Sequence, residues 1–343
     1  MKALIYKGKE KVALEDIAKP KIEESGDAVL RITTAAICGS DLHTYKRDLP
    51  QTGLAMGHEL MGIIEEAGDG VKNFKQGDRV VVPFSNGCGI CWFCKNNWPT
   101  QCTDLKVFGK GDLSGGQAEF ARIPRVDANA VLLPKEVPDE EAIFLADIFP
   151  TGFFAAENGS IRQGQSVAVL GCGPVGLCAQ IAAQLFNPAL VIALDSVPYR
   201  LEMAEKTGSK PVDISKQDWK EQVMQLTEGR GLDAVLEAVG GEGQALQSAF
   251  DLVRGGGTVS MVGVPTEDFY SLPIIRMFRK DIAFKVGVCP VRRYIEKLIP
   301  LILEKKVNLS QLVSHAVPLE KGPEAYQMFY RRDPGVMKIL LKP

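Results

Sequence analysis

The chain has 343 residues, of which 45% are hydrophobic and 24% charged, and its formal net charge at pH 7 is -2. This length predicts two domains, each with its own core, and the composition is ordinary for a globular protein. The sequence contains no block of basic residues that would indicate binding to nucleic acid. No apolar run approaches the roughly 20 residues that a membrane span needs. The first residues also lack the apolar stretch of a secretory signal. We therefore expect a cytoplasmic protein whose partner is a small molecule, with neither a nucleic-acid nor a membrane partner.

The first part of the chain has the pattern of short strands broken by turns. Strand-like runs lie at residues 27–32, 62–67 and 79–82, and the last of them follows the turn sequence Lys75-Gln76-Gly77-Asp78. β-rich runs bounded by glycine and aspartate are typical of a half-buried sheet. This part of the chain is predicted to be an irregular, mostly β domain.

From about residue 150 the pattern changes to strands that alternate with helices. Predicted strands lie at 166–170, 191–194, 234–237 and 258–262, and predicted helices at 177–186, 199–207 and 244–252. Such alternation produces a parallel sheet with helices on both faces. After residue 288 we predict an amphipathic helix at 294–303 and a strand at 337–341. The predicted fold class is α/β, with a doubly wound parallel sheet beside the mostly β domain.

A glycine-rich turn connects the first of these parallel strands to its helix. Gly171, Gly173 and Gly176 form the pattern G-x-G-x-x-G directly after an apolar run. Glycines let the backbone approach a pyrophosphate, and the helix N-terminus attracts its charge. Asp195 ends the next strand, where a carboxylate can bind the hydroxyls of an adenosine ribose and repel a 2′-phosphate. We predict a dinucleotide site that favours NAD over NADP, a preference that Arg200 could soften; the alternative is a purely structural turn.

Four of the eight cysteines are closely spaced: Cys88, Cys91, Cys94 and Cys102. Without a secretion signal they should be reduced, and four such thiolates match a closed, tetrahedral structural zinc site. An iron–sulfur cluster is the main alternative, but in a ferredoxin run the last cysteine follows after three residues and precedes proline. A redox pair would leave two thiols unexplained. We predict a structural zinc that holds the lobe 86–103 and takes no part in chemistry.

A second group of candidate ligands lies in the β-rich part of the chain. Catalytic zinc takes three protein ligands and keeps one position open for substrate. Cys38 and His58 are the natural first ligands, and a carboxylate from Asp147 or Glu59 is the expected third. Each residue taken alone would more often be a core cysteine or a hydrogen-bonded histidine.

Together these motifs resemble the zinc-containing medium-chain alcohol dehydrogenase family. The resemblance covers essentially the whole chain and includes the runs Cys38-Gly39-Ser40-Asp41-Leu42-His43, Gly57-His58-Glu59 and Met261-Val262-Gly263-Val264-Pro265. It implies a GroES-like catalytic domain at 1–149, a Rossmann NAD-binding domain at 150–288 and a C-terminal segment, 289–343, that returns to the catalytic domain. It also implies one catalytic and one structural zinc per chain, with NAD as cofactor.

The resemblance assigns roles at the catalytic metal. Cys38 and His58 would be zinc ligands, Asp147 would stand where many members have a cysteine, and Glu59 would be a carboxylate that can exchange onto the metal. Ser40, two residues after Cys38, is placed to take the proton from the substrate hydroxyl.

Further residues match positions of the family around the substrate and the cofactor. In the family the proton leaves through the nicotinamide ribose to a histidine at the position of His43. Phe84 would line the substrate pocket, Val262 and Val264 would contact the nicotinamide through their backbone, and Lys338 would reach the pyrophosphate.

The predicted function is therefore hydride transfer between a primary or secondary alcohol, or an aldehyde or ketone in reverse, and NAD. Alternatives within the family are polyol, threonine or butanediol dehydrogenases and glutathione-independent formaldehyde dehydrogenases, the last suggested by the stretch 147–152. A zinc-stabilised binding module without catalysis is the alternative of another class. A zinc-free enoyl or quinone reductase fits the cysteine motifs poorly. We expect a homo-oligomer, a tetramer rather than a dimer.

Overall fold

Two large sheets organise the chain, and each belongs to a different unit. The computed structural model describes residues 1–343. Unit 1 comprises Met1–Pro150 together with Pro290–Pro343, and unit 2 comprises Thr151–Cys289. No helix in either unit has both the length and the apolar character that crossing a membrane would require.

The N-terminal part of unit 1 is mostly β. Its strands are β1 (Lys2–Gly8), β2 (Lys11–Asp16), β3 (Ala28–Ala36), β4 (Glu59–Ala67), β5 (Arg79–Val82), β6 (Ser85–Asn86), β7 (Lys106–Val107), β8 (Phe120–Ile123) and β9 (Val131–Leu132). Its helices are short: α1 (Asp41–Tyr45), α2 (Trp92–Lys95), α3 (Val126–Asn129) and α4 (Asp139–Ala142). Helix α5 (Ile148–Asn158) contains the boundary with unit 2.

Unit 2 alternates strands with helices. The strands are β10 (Ser166–Leu170), β11 (Leu190–Asp195), β12 (Lys210–Asp213), β13 (Leu232–Glu237), β14 (Val253–Met261) and β15 (Ala283–Val286). The helices are α6 (Pro174–Gln184), α7 (Pro198–Lys206), α8 (Trp219–Leu226), α9 (Gln244–Leu252) and α10 (Ile274–Lys280). All strands are parallel, in the order β12-β11-β10-β13-β14-β15. Because the order reverses between β10 and β13, right-handed crossovers place helices on both faces, which confirms the predicted doubly wound fold.

The C-terminal segment completes the main sheet of unit 1. It contains α11 (Arg292–Leu303), β16 (Val313–Pro318), α12 (Gly322–Arg331) and β17 (Lys338–Lys342). Strand β17 pairs antiparallel with β3, so the sheet runs β16-β17-β3-β4-β5-β9, with β8 also on β3. Side chains from both parts of unit 1, including Leu30, Ile64, Tyr326 and Ile339, share one buried core.

Several element boundaries differ from the prediction for local physical reasons. Helices α6 and α7 begin at Pro174 and Pro198, ahead of the predicted starts at 177 and 199. Proline is favoured in the first helical turn, because the N–H group that it lacks would have no partner within the helix there. The predicted starts lie later because they rest on the apolar pattern, which begins after the proline. Strand β14 begins at Val253, five residues before the predicted start at 258. The prediction began too late because the strand includes three consecutive glycines, which are unusual in a strand interior. The short strands β12 and β15 and the helices α8 and α10 were not predicted.

Candidate functional site

Four candidate metal ligands meet where β3 ends and β4 begins. In the antiparallel pair Ala36 lies opposite Glu59, so Cys38, just after β3, and His58, just before β4, come close together. Asp147 reaches the same place from the turn that precedes α5. One ligand atom from each of Cys38, His58, Glu59 and Asp147 lies within 4.8 Å of all the others.

The spacing of these atoms fits a tetrahedral zinc ion. Asp147 Oδ2 is 3.2 Å from His58 Nε2 and 3.8 Å from Cys38 Sγ. Bonds of about 2.0–2.3 Å in a tetrahedron place ligand atoms about 3.3–3.8 Å apart. In addition, Glu59 Oε1 is buried without a hydrogen-bond partner, which is costly for a carboxylate unless a cation or donor is near. The donor set therefore suits a divalent metal.

Burial and mutual charge shift the pKa values of Cys38, His58 and Glu59. Burial raises the pKa of the Cys38 thiol, and the neighbouring Glu59 raises it further. Burial also raises the pKa of Glu59, which the charge of Lys338 only partly offsets. For His58, burial lowers the pKa, but the charges of Asp41 and Cys38 outweigh it and the net pKa is well above the usual value. Such a cluster concentrates negative charge that a metal cation would neutralise.

Lys338 lies beside the candidate ligand Glu59. Its side chain is fully buried in unit 1, where Nζ donates to Glu59 Oε2 and, at 3.2 Å, to the carbonyl of Ile37. A buried ammonium must be paired, and the charge of Glu59 keeps the pKa of Lys338 above its usual value although burial lowers it. Lys338 therefore holds Glu59 in place, and its predicted contact with the pyrophosphate stays a prediction.

Two residues beside Cys38 contact the metal ligands. Ser40 Oγ lies 3.4 Å from both Cys38 Sγ and His58 Nε2, so its hydroxyl borders the proposed metal position. Asp41 accepts a hydrogen bond from His58 Nδ1 at 2.9 Å and another from the backbone N–H of Cys38 at 3.0 Å. Asp41 therefore selects the tautomer that leaves His58 Nε2 free to bind a metal. The sequence placed Asp41 near the site but gave no indication of this contact.

His43 and Phe84 border the same region of unit 1. His43 lies on α1 and is half-buried; burial lowers its pKa, as do the charges of Arg47 and Lys46, so it is neutral near pH 7 and able to accept a proton. Phe84 packs edge-on against the His58 ring, with the ring centroids 6.1 Å apart. Its position beside a ligand is compatible with the predicted pocket role.

The cysteine lobe brings its four sulfur atoms into one cluster. The Sγ atoms of Cys88, Cys91, Cys94 and Cys102 are free thiols and lie within 4.8 Å of one another. The measured pairs are 4.0 Å for Cys88–Cys94 and 3.8 Å for Cys91–Cys102. A side chain at Gly87 would place Cβ 2.8 Å from Cys94 Sγ, so this approach requires glycine.

Backbone donors lower the pKa values of the thiols in this lobe and burial raises them, so that the net pKa is lowered at Cys88 and Cys91 and raised at Cys94 and Cys102. Hydrogen bonding from the backbone of Cys94 lowers the pKa of Cys91 to about 6, whereas burial raises the pKa of Cys94 to about 12. Backbone N–H groups also point at Cys88 Sγ and Cys102 Sγ, at 3.1–3.3 Å. Four thiolates at this spacing need a cation between them, and the closed set of four ligands suits structural zinc.

The glycine-rich turn in unit 2 depends on close backbone contacts. Gly171 has a φ of +90° and donates its N–H to the carbonyl of Leu194 at 2.8 Å. A Cβ at Gly176 would lie 1.8 Å from the Gly171 carbonyl oxygen. Gly173 caps α6, and its nearest side-chain neighbour would be Arg200 Nη1, at 3.9 Å. The turn thus presents bare backbone at a helix N-terminus, as anion binding requires.

Asp195 and Arg200 lie beside this turn. Asp195 Oδ2 accepts the backbone N–H of Cys172 at 2.7 Å, and Oδ1 accepts those of Ser196 and Val197. Arg200 Nη1 is 3.9 Å from Asp195 Oδ2. Asp195 therefore ties β11 to the turn, and its carboxylate stands at the carboxyl ends of the strands, where nucleotides bind.

A buried carboxyl group that the sequence analysis missed joins the loops after β13 and β14. Glu237 Oε1 accepts the N–H groups of Val239 and Gly240 at 2.7 and 2.8 Å. Its main-chain oxygen accepts those of Val262 and Gly263 at 2.9 and 3.1 Å. Glu237 is fully buried, and burial raises its pKa. The only signal in the sequence was an acidic residue at the end of an apolar strand.

Comparisons with known proteins find relatives along the whole chain. Residues 24–135 match the family model described as "Alcohol dehydrogenase GroES-like domain", and residues 174–304 match "Zinc-binding dehydrogenase". The "Zinc-type alcohol dehydrogenase B" of Aspergillus flavus is 38% identical, over 100% of this chain and 81% of its own length. The "Glutathione-independent formaldehyde dehydrogenase" of Pseudomonas aeruginosa is 31% identical, over 98% and 96%. The solved structure of alcohol dehydrogenase TADH from Thermus sp. ATN1 has a TM-score of 0.95 at 36% identity, covering 100% of this chain and 99% of that one.

The glycine-rich turn yields a direct test of dinucleotide binding. Gly176→Ala should weaken NADH binding at least about tenfold, because the added Cβ collides with backbone rather than with a movable side chain. Titration of nicotinamide fluorescence measures the dissociation constant. Gly255→Ala is the matched control in the same unit, since its Cβ would meet only Lys280 O at 3.4 Å. Parent-like affinity in Gly176→Ala would show that the turn does not bind the dinucleotide.

Proposed function

This chain belongs to the zinc-dependent medium-chain alcohol dehydrogenase family, and we propose that it transfers hydride between a primary or secondary alcohol and NAD, or from NADH to an aldehyde or ketone. Family membership makes it a zinc-dependent oxidoreductase with a nicotinamide cofactor, rather than a non-catalytic zinc module. The observation that carries the proposal for this chain is the convergence of Cys38, His58 and Asp147 with their ligand atoms at tetrahedral spacing.

The catalytic metal would be held by Cys38, His58 and Asp147. Zinc bound there supplies a Lewis acid that makes a hydroxyl group more acidic and polarises a carbonyl. Asp147 in place of a thiolate gives a harder ligand set that exchanges more readily. Glu59, whose Oε1 is buried and unpaired, is the carboxylate available for such exchange, and Lys338 limits its movement through Oε2.

Removal of the substrate proton falls to Ser40 and His43. Ser40 Oγ lies 3.4 Å from His58 Nε2, within reach of a hydroxyl group at the open side of the ligand cluster. His43 is neutral near pH 7 because burial lowers its pKa, so it is the acceptor from which the proton would pass to solvent. Asp41 keeps His58 in one tautomer while the proton moves.

The cofactor would bind in unit 2 through the turn Gly171–Gly173–Gly176. The pyrophosphate would meet the N-terminus of α6, and Asp195 would accept hydrogen bonds from the adenosine ribose. Asp195 accepts three backbone N–H groups, one of them on Oδ2, and a carboxylate has about four acceptor sites, so Oδ2 keeps capacity for a ribose hydroxyl. Arg200, 3.9 Å from Asp195, balances the carboxylate charge, so the preference for NAD over NADP should be moderate. The backbone of Val262, held by Glu237, and that of Val264, whose carbonyl accepts the N–H of Gly241, would face the nicotinamide.

Formaldehyde is the second candidate substrate. The Pseudomonas aeruginosa relative, 31% identical over nearly the whole chain, is named as a glutathione-independent formaldehyde dehydrogenase. Polyols, threonine and butanediol are further alternatives within the family. A panel of simple alcohols, polyols, threonine and formaldehyde, compared by kcat/KM, discriminates among them, and turnover of only a polyol or threonine would reject the simple-alcohol assignment.

Unit 2 carries an apolar face that we propose as an interface between copies of this chain. Phe269 and Phe278 are 92% and 87% exposed, and Ile274 and Ile275 are 60% and 71% exposed. Strand β15 is an unpaired edge of the same sheet. Monomeric proteins rarely expose such patches or edges. The assembly favoured is a homotetramer.

We propose a cytoplasmic location, supported by the chemistry of the cysteines. All eight are free thiols, and the two ligand clusters need thiolates that an oxidising compartment would convert to disulfides. Cell fractionation tests the location, and recovery in a secreted fraction would contradict it.

The metal content tests the central proposal. The parent enzyme should contain two zinc ions per chain and reduce NAD with an alcohol. Cys38→Ser should lose one zinc and nearly all turnover while remaining folded, because it removes one of three ligands of the open site only. Metal analysis and the absorbance of reduced nicotinamide measure the two quantities. A parent with a single zinc, or a Cys38→Ser variant with full activity, would exclude the proposed metal site.

The role of Ser40 predicts a defect in kcat without loss of metal. Ser40→Ala should lower kcat about a hundredfold or more, since positioned proton transfer typically contributes about 10²–10⁴-fold. Zinc content should stay at the parental value, which separates this variant from Cys38→Ser. Ser310→Ala, on a turn of the C-terminal segment with its hydroxyl on Asn308, is the control. Parental kcat in Ser40→Ala would remove the serine from the proton path.

The interface proposal predicts a change in assembly. Phe278→Glu places a charge on the exposed face of α10 and should reduce the oligomer to a smaller species. Light scattering coupled to size-exclusion chromatography gives the mass. Lys280→Glu at the end of the same helix controls for charge alone. A parent that elutes as a monomer would contradict the assignment.

A further inference from the structure

Asp41, the residue that orients His58, is itself held by a side chain from a distant strand region. Gln117 Nε2 donates to Asp41 Oδ2 at 3.2 Å and to the carbonyl of Ala36 at 3.1 Å. Gln117 is fully buried, and Asp41 is 6% exposed. Both N–H bonds of the amide are therefore used inside unit 1, one of them on a carboxylate in direct contact with a candidate ligand.

The remaining polar atom of Gln117 is bound by a residue of the C-terminal segment. Tyr326, on α12, donates its hydroxyl to Gln117 Oε1 at 2.7 Å and is fully buried. Because Asp41 Oδ2 and Ala36 O are acceptors only, the amide must present nitrogen to them and oxygen to Tyr326. Burial raises the pKa of Tyr326 well above its usual value, so the hydroxyl remains a donor.

Packing reinforces this chain of hydrogen bonds at both ends. Gly57, the residue before His58, has a φ of +82°, and a Cβ there would lie 2.3 Å from Gln117 Cγ. Gln117 thus fills the space directly beneath the backbone that carries the ligand. At the other end, the Tyr326 ring packs on Tyr45, the last residue of the helix that begins with Asp41, with centroids 5.3 Å apart.

We propose that Gln117 and Tyr326 are positioning residues for the catalytic metal, acting through Asp41 on the direction of His58 Nε2. A carboxylate that accepts bonds from His58, Cys38 N–H and Gln117 at once has a single orientation, and each bond is strengthened by the low local dielectric. Tyr326 of the C-terminal segment, 209 residues away from Gln117 in sequence, thereby helps to fix a candidate ligand just before β4. The inference rests on the metal site proposed above.

Tyr326→Phe tests this chain of contacts with the smallest change. It removes only the donated hydroxyl, leaving Gln117 free to turn and Asp41 less firmly held. Zinc should pass from the catalytic site to a competing chelator about three- to tenfold faster than in the parent. This effect is smaller than the loss of metal affinity, about 10–100-fold, that typically follows removal of a group hydrogen-bonded directly to a ligand. The zinc of the cysteine lobe, followed in the same experiment, should leave at the parental rate. With Co²⁺ in the catalytic site, the visible absorption bands should shift.

Two comparisons separate positioning from a general loss of stability. Tyr330→Phe removes a hydroxyl from the same helix, where it bonds Glu10 at the surface, and should change neither zinc rate. If Tyr326 acts through Asp41, the Tyr326→Phe change should add almost nothing to the release rate in an Asp41→Asn background.

The possible results discriminate between the inference and the function on which it rests. Suppose that the parent binds two zinc ions and that Tyr326→Phe has the same rate of zinc release and the same cobalt absorption bands as the parent. This result would overturn the positioning role and leave the proposed function intact. Full additivity with Asp41→Asn would overturn action through Asp41. A parent that binds no metal at Cys38 and His58 would overturn both.

Discussion

The chemistry of this protein depends on balancing negative charge in a buried space. Glu59, Asp147 and Asp41 surround Cys38 and His58 within a few ångströms, and only Lys338 brings a permanent positive charge among them. Without a cation the thiol remains protonated and His58 holds a proton instead. A divalent ion would replace those protons and neutralise the negative charge, and this donor set is therefore suited to a metal.

The candidate metal site combines residues on rigid strands with a side chain that can move. The ligands Cys38 and His58 stand at the ends of two strands paired over nine residues each, whereas Glu59 is held through one oxygen and keeps the other unpaired. A carboxylate with one fixed and one unpaired oxygen can approach or leave a metal without disturbing the sheet. In unit 2 the buried carboxyl of Glu237 also binds through one oxygen and leaves the other unpaired, but the bound oxygen and the Glu237 backbone carbonyl accept backbone N–H groups and so fasten two loops.

The parts of the site that could be predicted from sequence are those with short, fixed spacing. The four cysteines of the lobe lie close together in the chain, so their spacing alone indicates a closed site, and the glycine-rich turn is complete within six residues. Glu237 and the contact of Asp41 with His58 were not predicted, because an acidic residue has the same appearance in a sequence whether it orients a ligand or faces water. The contact of Lys338 with Glu59 could not be predicted for a similar reason: it joins residues 279 positions apart.

The sequence by itself determined the fold class, the family and the candidate metal ligands, because those follow from periodic apolar patterns and local motifs. Only the tertiary structure decided which side chains contact those candidate ligands and fix their positions. The register of β3 against β4 sets the distance between Cys38 and His58, and the return of the C-terminal strand and helix brings Lys338 and Tyr326 beneath them. Long-range pairings of this kind depend on strand register and core packing, which no local pattern in the chain encodes.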